Sequence, residues 1–165
     1  MRPLYKRFPV GLAIFIAGIG SCANAETLDF VTAKPISELW LNAGFLSYHV
    51  QTDQGLNNRN FGLGGEYRYS TTSALTAGQF YNSDRQTSHY AGWYWQPLAV
   101  GSLRLGAVVG GFDGYPKMRN GGWFLAAIPV ASFEYKNVGA NIAFVPTYQN
   151  RLHGAVSLQL KVKLF

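Results

Sequence analysis

The sequence predicts an all-β chain closed into an eight-stranded antiparallel transmembrane β-barrel of the outer-membrane type. Three observations predict it. Apolar and polar residues alternate with a period of two in run after run. The connections between runs alternate between short and long. Charged residues are scarce at 13% and aromatic residues plentiful at 15%, as a wall facing lipid requires. In the last run Val156, Leu158, Leu160, Val162 and Leu164 alternate with Ser157, Gln159, Lys161 and Lys163, and Phe61–Tyr69 and Leu103–Val109 repeat the pattern. Such a period makes each run a strand with one oily face.

Residues 1–25 read as a cleaved signal peptide. Arg2, Lys6 and Arg7 form a basic start, Phe8 to Gly20 an apolar core, and Ala23-Asn24-Ala25 a small-x-small cleavage site. The core is too short for a spanning helix. Ile19-Gly20-Ser21-Cys22 is also an imperfect match to a lipoprotein site, with a glycine that fits poorly. Removing the leader leaves about 140 residues, a single-domain length that eight short strands use up. Cys22, the sole cysteine, goes with the leader, so the mature chain has no disulfide or thiol chemistry. Formal charge falls from +6 to +3 with the three basic leader residues. The residual charge is no footprint of nucleic-acid binding.

Residues 26–36 read as a short periplasmic lead-in, and residues 37–165 as the barrel domain. Strands are expected near 38–49, 60–70, 73–82, 87–96, 102–111, 123–135, 138–147 and 154–164. The connections at 71–72, 97–101 and 136–137 are short, and those at 50–59, 83–86, 112–122 and 148–153 mostly longer. Short periplasmic turns and longer external loops put both termini inside. Phe165 is out of phase with the apolar face of its strand, which predicts a bulge or fraying there.

That orientation sorts the lumen by depth. The inward residues of the periplasmic half are Asn42, Glu66, Arg68, Arg104, Glu134, Asn141, Gln159 and Lys161. Those of the outer half are Leu46, Phe80, Tyr90, Val108, Phe124, Ala126, Ile128 and Val145, with Gly62 and Gly64. Filling a narrow barrel explains some aliphatic residues; an apolar pocket for a single acyl chain explains the sorting. Pro129 and Pro146 lie inside strands, where each removes a ladder donor. They read either as strand ends or bulges, or as a gap through which a lipid tail enters sideways.

Ile128-Pro129-Val130-Ala131-Ser132-Phe133-Glu134-Tyr135 and Phe144-Val145-Pro146-Thr147-Tyr148-Gln149-Asn150 resemble the last hairpin of the lipid A palmitoyltransferase (PagP) family. Phe80-Tyr81-Asn82-Ser83, Tyr90-Ala91-Gly92-Trp93 and Ser47-Tyr48-His49 are similar to other segments of that family, in order. The resemblance implies an outer-membrane barrel that moves a palmitoyl chain from phospholipid to lipid A, with no cofactor. Its partners are then membrane phospholipid and lipopolysaccharide, and the chain a monomer. Carried over by position, the catalytic matches are His49, Ser83 and Asn82, with Gly92 at the pocket floor and the two prolines at lateral gates. Phe80, Tyr90, Val108, Phe124, Ile128, Pro129 and Pro146 complete the substrate site. Asn82 stands where the family has an aspartate, and an amide is no base. Asp84 or Asp53 is a possible substitute, and the helix that precedes the family's first strand is missing.

Ester acyl transfer needs a base and either an activated acceptor or a serine nucleophile. His49, His89, His153 and Ser83 all map to the outer ends of strands or to loops and are expected at one rim. His153-Gly154-Ala155 lacks the serine that lipid A deacylases carry after their histidine. No metal-ligand spacing occurs. The competing class is a non-enzymatic structural or surface-binding barrel with a packed lumen.

Overall fold

The computed structural model describes residues 27–149 and 151–165; the leader expected at 1–25 lies outside the described residues. In chain order the strands are β1 (Leu28–Phe30), β2 (Pro35–His49), β3 (Arg59–Ser70), β4 (Ser73–Tyr81), β5 (Thr87–Val100), β6 (Leu103–Phe112), β7 (Phe124–Tyr135), β8 (Val138–Val145) and β9 (Ala155–Lys163). From β2 to β9 each strand pairs antiparallel with the next, and β2 pairs with β9, so eight strands close on themselves. Closure removes the sheet edge wherever the ladders are continuous, and lipid offers no hydrogen-bond partner to an open one. The expected all-β barrel and its strand order are both present.

The lead-in is more ordered than its sequence suggests. β1 pairs with the end of β5, Leu28 opposite Val100 and Phe30 opposite Leu98. The cause is the length of β5. Its ladder with β4 stops at Trp95 opposite Ser73, so the rest of β5 overhangs and β1 supplies the missing neighbour. The N–H of Val31 donates to the Pro97 carbonyl at 2.8 Å. The turn expected at 97–101 therefore shrinks to Gly101 and Ser102. Pro97 falls in a register shift between Trp95 and Leu98, where a bulge accommodates its missing N–H.

Thr71–Thr72, Gly101–Ser102 and Lys136–Asn137 make tight connections at one end of the barrel, here the turn end. The four longer connections mark the loop end. At the carboxyl terminus regular pairing stops at Lys163, yet Leu164 and Phe165 stay bonded to the Leu39 backbone, at 2.8 and 3.0 Å.

Side chains alternate around the wall. Leu41, Leu63, Val109, Leu125 and Leu160 are exposed on the outside. Aromatic residues flank them at both ends: Tyr67, Tyr69, Trp93, Trp95 and Tyr135 near the turns, and Tyr48, Phe61, Tyr81, Trp123 and Tyr148 near the loops. An apolar band between two aromatic girdles is the outer surface of a membrane barrel.

One inward expectation is corrected. Leu46 points outward, with Tyr48, while Phe45 and His49 are buried in the lumen. The register between β2 and both neighbours shifts between Ala43 and Phe45, and Gly44 sits there at φ 67°. One extra residue reverses every later side chain of the strand.

The turn-end half of the lumen is a polar plug, in which the buried Asn42 amide finds no hydrogen-bond partner among the described residues. Lys161 Nζ donates to Glu66 at 3.0 Å, and its distance to Glu134 is 2.7 Å. Arg68 donates to Glu66 at 3.3 Å and binds Glu134 through both terminal nitrogens. Asn141 joins Glu66 at 3.1 Å, Gln159 at 2.8 Å and Ser132 at 2.7 Å. Two carboxylates meet two cations, as burial requires. Arg104 is not among them; its guanidinium donates to the Thr71 carbonyl at the adjacent turn.

Candidate active site

Above the plug the lumen turns apolar and hollow. A cavity of about 130 Å³ opens toward the loops. Its floor is the upper surface of the plug, Tyr94, Asn141 and Gln159. Aromatic rings line one side in succession: Phe45 stacks on Phe80 at 5.5 Å, Tyr90 on Phe112 at 6.3 Å, and Phe124 meets Tyr115 edge-on at 5.8 Å. Burial, with the nearby Asp84, pushes the Tyr115 phenol above its ordinary range. Small residues line the opposite side: Ala126, Ala143, Ala155 and Ser157.

The wall beside those small residues is open. The β7–β8 ladder ends at Val130 opposite Ala143. Beyond it β7 continues to Phe124 on β6 alone, and β8 continues to Val145 on β9 alone. Pro129, which has no N–H to offer, is the first residue past the end of the ladder, and Pro146 follows the end of β8.

Ser83 and His49 meet at the mouth. Nε2 of His49 lies 2.7 Å from Ser83 Oγ, and Nδ1 lies 2.7 Å from Asn58 Oδ1. His49 is 4% exposed. Gly44 accounts for its position, since without the bulge His49 would face lipid. Arg151, Asp84 and His153 line the same mouth, the last bonded to Gln51 at 3.0 Å.

Phe80, Tyr90, Val108, Phe124 and Ile128 all line the cavity. Other residues expected at the site from sequence do not line the cavity. Gly92 is half-buried on β5, but a β-carbon there would stand 3.1 Å from Val108 Cγ2, and the cavity wall passes it by. Pro129 and Pro146 face outward, at the rim of the open seam. Asn82 is fully buried and builds its turn: its carbonyl oxygen accepts from Asp84 and Gln86 N–H, both at 2.9 Å, and its amide donates to Ser88 and the Gly114 carbonyl. No bond joins it to His49 among the described residues. His89 also leaves the mouth, pairing with Asp113 at 3.1 Å on the outer surface. Sequence reasoning missed Phe45 and Asn58. The signal for Phe45 was Gly44, since a glycine inside a strand marks a bulge; Asn58 gives no signal among three neighbouring asparagines.

No family model matches the chain, and no curated protein matches it. Among solved structures it is similar to the de novo designed TMB2.3, determined in solution by NMR. The TM-score is 0.52 at 17% identity, over 78% of this chain and 95% of the other. At that identity the likeness shows the fold alone. Fold and lumen define the class: a closed eight-stranded transmembrane β-barrel, plugged at its turn end and hollow at its loop end.

Proposed function

We propose that this chain is an outer-membrane acyltransferase that moves an acyl chain from a phospholipid to lipid A. The observation that carries the reading is the 2.7 Å contact between His49 Nε2 and Ser83 Oγ, placed where an apolar cavity meets the loops. A base beside a hydroxyl is the minimum for acyl transfer, and the cavity below is a sleeve for the chain of the ester being cleaved. In this reading the turn end lies in the periplasm and the open β7–β8 seam admits the tail from the outer leaflet. Arg151 at the mouth suits the phosphate that donor and acceptor both carry. Asn82 in place of the family's aspartate does not defeat the chemistry, because its work here is to shape the Ser83 turn.

The test is mass spectrometry of lipid extracts from cells with and without the protein. Expression should add one acyl chain to lipid A and produce an equal amount of lysophospholipid, and His49→Ala should abolish both changes. A folded barrel that leaves every lipid unchanged would instead support a structural or surface-binding barrel.

A further inference from the structure

The geometry assigns to Asn58 the positioning of His49, and to Ser83 the role of a nucleophile that holds the acyl chain as a covalent ester between donor and acceptor. This deepens the acyl-transfer reading and takes its lipid substrates from it; the serine chemistry itself rests on the geometry alone.

The protons fix the direction of the relay. Asn58 Oδ1 only accepts hydrogen bonds, so the proton in its 2.7 Å contact belongs to His49 Nδ1. A neutral imidazole with Nδ1 protonated has its lone pair on Nε2, and Ser83 Oγ lies 2.7 Å from that atom. Asn58 therefore selects the tautomer in which Nε2 takes a proton from serine. A nucleophile, a base and a residue orienting the base form the serine-hydrolase arrangement, and an asparagine fills the third place in papain-like enzymes.

The three residues come from the end of β2, the residue before β3 and the turn after β4. Backbone bonds tie those segments together. Ser47 N–H donates to the Asn58 carbonyl at 2.9 Å, and Asn57 N–H donates to the Ser83 carbonyl at 3.0 Å. The Asn57 side chain reaches the Asn82 carbonyl at 3.2 Å. The segment carrying Asn58 is thus fastened both to the histidine strand and to the serine turn, which holds the relay in place before substrate arrives. His49 and Ser83 line the cavity, and Asn58 engages the other edge of the ring.

The reaction then runs in two halves. Ser83 Oγ attacks the ester carbonyl of the donor while its proton passes to His49 Nε2. The carbon–oxygen bond to the lysophospholipid breaks, and that oxygen leaves with the proton, so Ser83 is acylated. A hydroxyl of the acceptor lipid attacks the new ester, its proton goes to Nε2, and Ser83 Oγ leaves and regains it. Water in place of the acceptor releases a free fatty acid. If His49 acted on the acceptor directly, no serine ester would form.

The test is labelling of the purified, folded barrel in detergent with a long-chain alkyl fluorophosphonate, followed by mass spectrometry across a pH series. Folding of each variant is checked by the difference in gel migration between boiled and unboiled samples. The wild type should carry the adduct on Ser83, and Ser83→Ala should carry none. Asn58→Ala should fold normally and label at least about 10-fold more slowly. Asn58→Asp should restore the rate and move the midpoint of the pH profile upward, because a carboxylate beside the ring favours the imidazolium. A folded wild type without a Ser83 adduct, an Asn58→Ala variant labelled at the wild-type rate, or an unmoved midpoint in Asn58→Asp overturns the inference. Asn58-dependent labelling in a barrel that adds no chain to lipid A would uphold the relay and end the lipid A reading. Transfer to lipid A that survives Ser83→Ala would do the reverse.

Discussion

Gly44 determines the face on which His49 lies. The extra residue at Gly44 shifts the register of β2 against both β3 and β9, and five residues later the imidazole enters the lumen and reaches Ser83. Gly44 adopts φ 67°, a conformation that costs other residues about 1–2 kcal/mol. Gly44→Val should lower stability by about that amount and also disconnect His49 from Ser83. Gly121→Val is the control, because Gly121 has φ 82° and open space around it in the β6–β7 loop. Urea titration should show a loss in both variants, and serine labelling should fall only in the first.

Most of the wall was legible in the sequence because lipid outside and a narrow lumen inside leave little choice of side chain. Glu66, Arg68, Glu134, Asn141, Gln159 and Lys161 stand out as inward polar residues on strands that are otherwise oily outside. The ion pairs among them follow from burial alone. What alternation does not reveal is a change of phase. Past Gly44 it assigns Leu46 to the lumen, whereas Phe45 and His49 are the residues that face inward there. Past Pro97 it ends a strand that in fact continues to Val100. Loops carry no period at all, so the meeting of Asn58 with His49, and the turn-building role of Asn82, lay beyond it.

Tyr90 owes its place in the cavity wall to Gly64 and Gly78. A β-carbon on Gly64 would stand 2.1 Å from the Tyr90 hydroxyl, and one on Gly78 2.8 Å from it. Gly64→Ala should cost about 1–3 kcal/mol by overpacking. Because Ala77 O would also lie 2.8 Å from the new carbon, Tyr90→Phe in the same chain should recover only part of the loss. A double-mutant cycle in urea measures the coupling. Strict additivity would mean that Tyr90 moves aside freely.

The polar plug is most sensitive at Glu66. Its carboxylate meets Arg68, Lys161 and Asn141, and the residue is 1% exposed. Glu66→Ala leaves two buried cations sharing Glu134, and the barrel should lose about 3–5 kcal/mol. Glu66→Gln keeps the volume and one acceptor and should lose less. Unfolding in urea from lipid vesicles gives both values, and equal losses would assign the effect to packing rather than charge.

Leu63 lies midway along β3 and is 56% exposed on the outer face. Leu63→Arg should cost about 2–4 kcal/mol in a bilayer, the penalty for arginine near the midplane. An unchanged urea midpoint in vesicles would place that face in water and contradict the membrane-spanning wall.

On the proposed function, His49 and Ser83, at the mouth of an apolar lumen, transfer an acyl chain between lipids. The most direct measurement reconstitutes the purified barrel in vesicles of lipid A and phospholipid with an isotopically labelled acyl chain, and follows both lipids by mass spectrometry. The wild type should place one labelled chain on lipid A for each lysophospholipid formed, while His49→Ala and Ser83→Ala, folded by gel migration, should place none. A folded wild type that leaves the labelled chain on its phospholipid, or an equal rate in His49→Ala, would contradict the account.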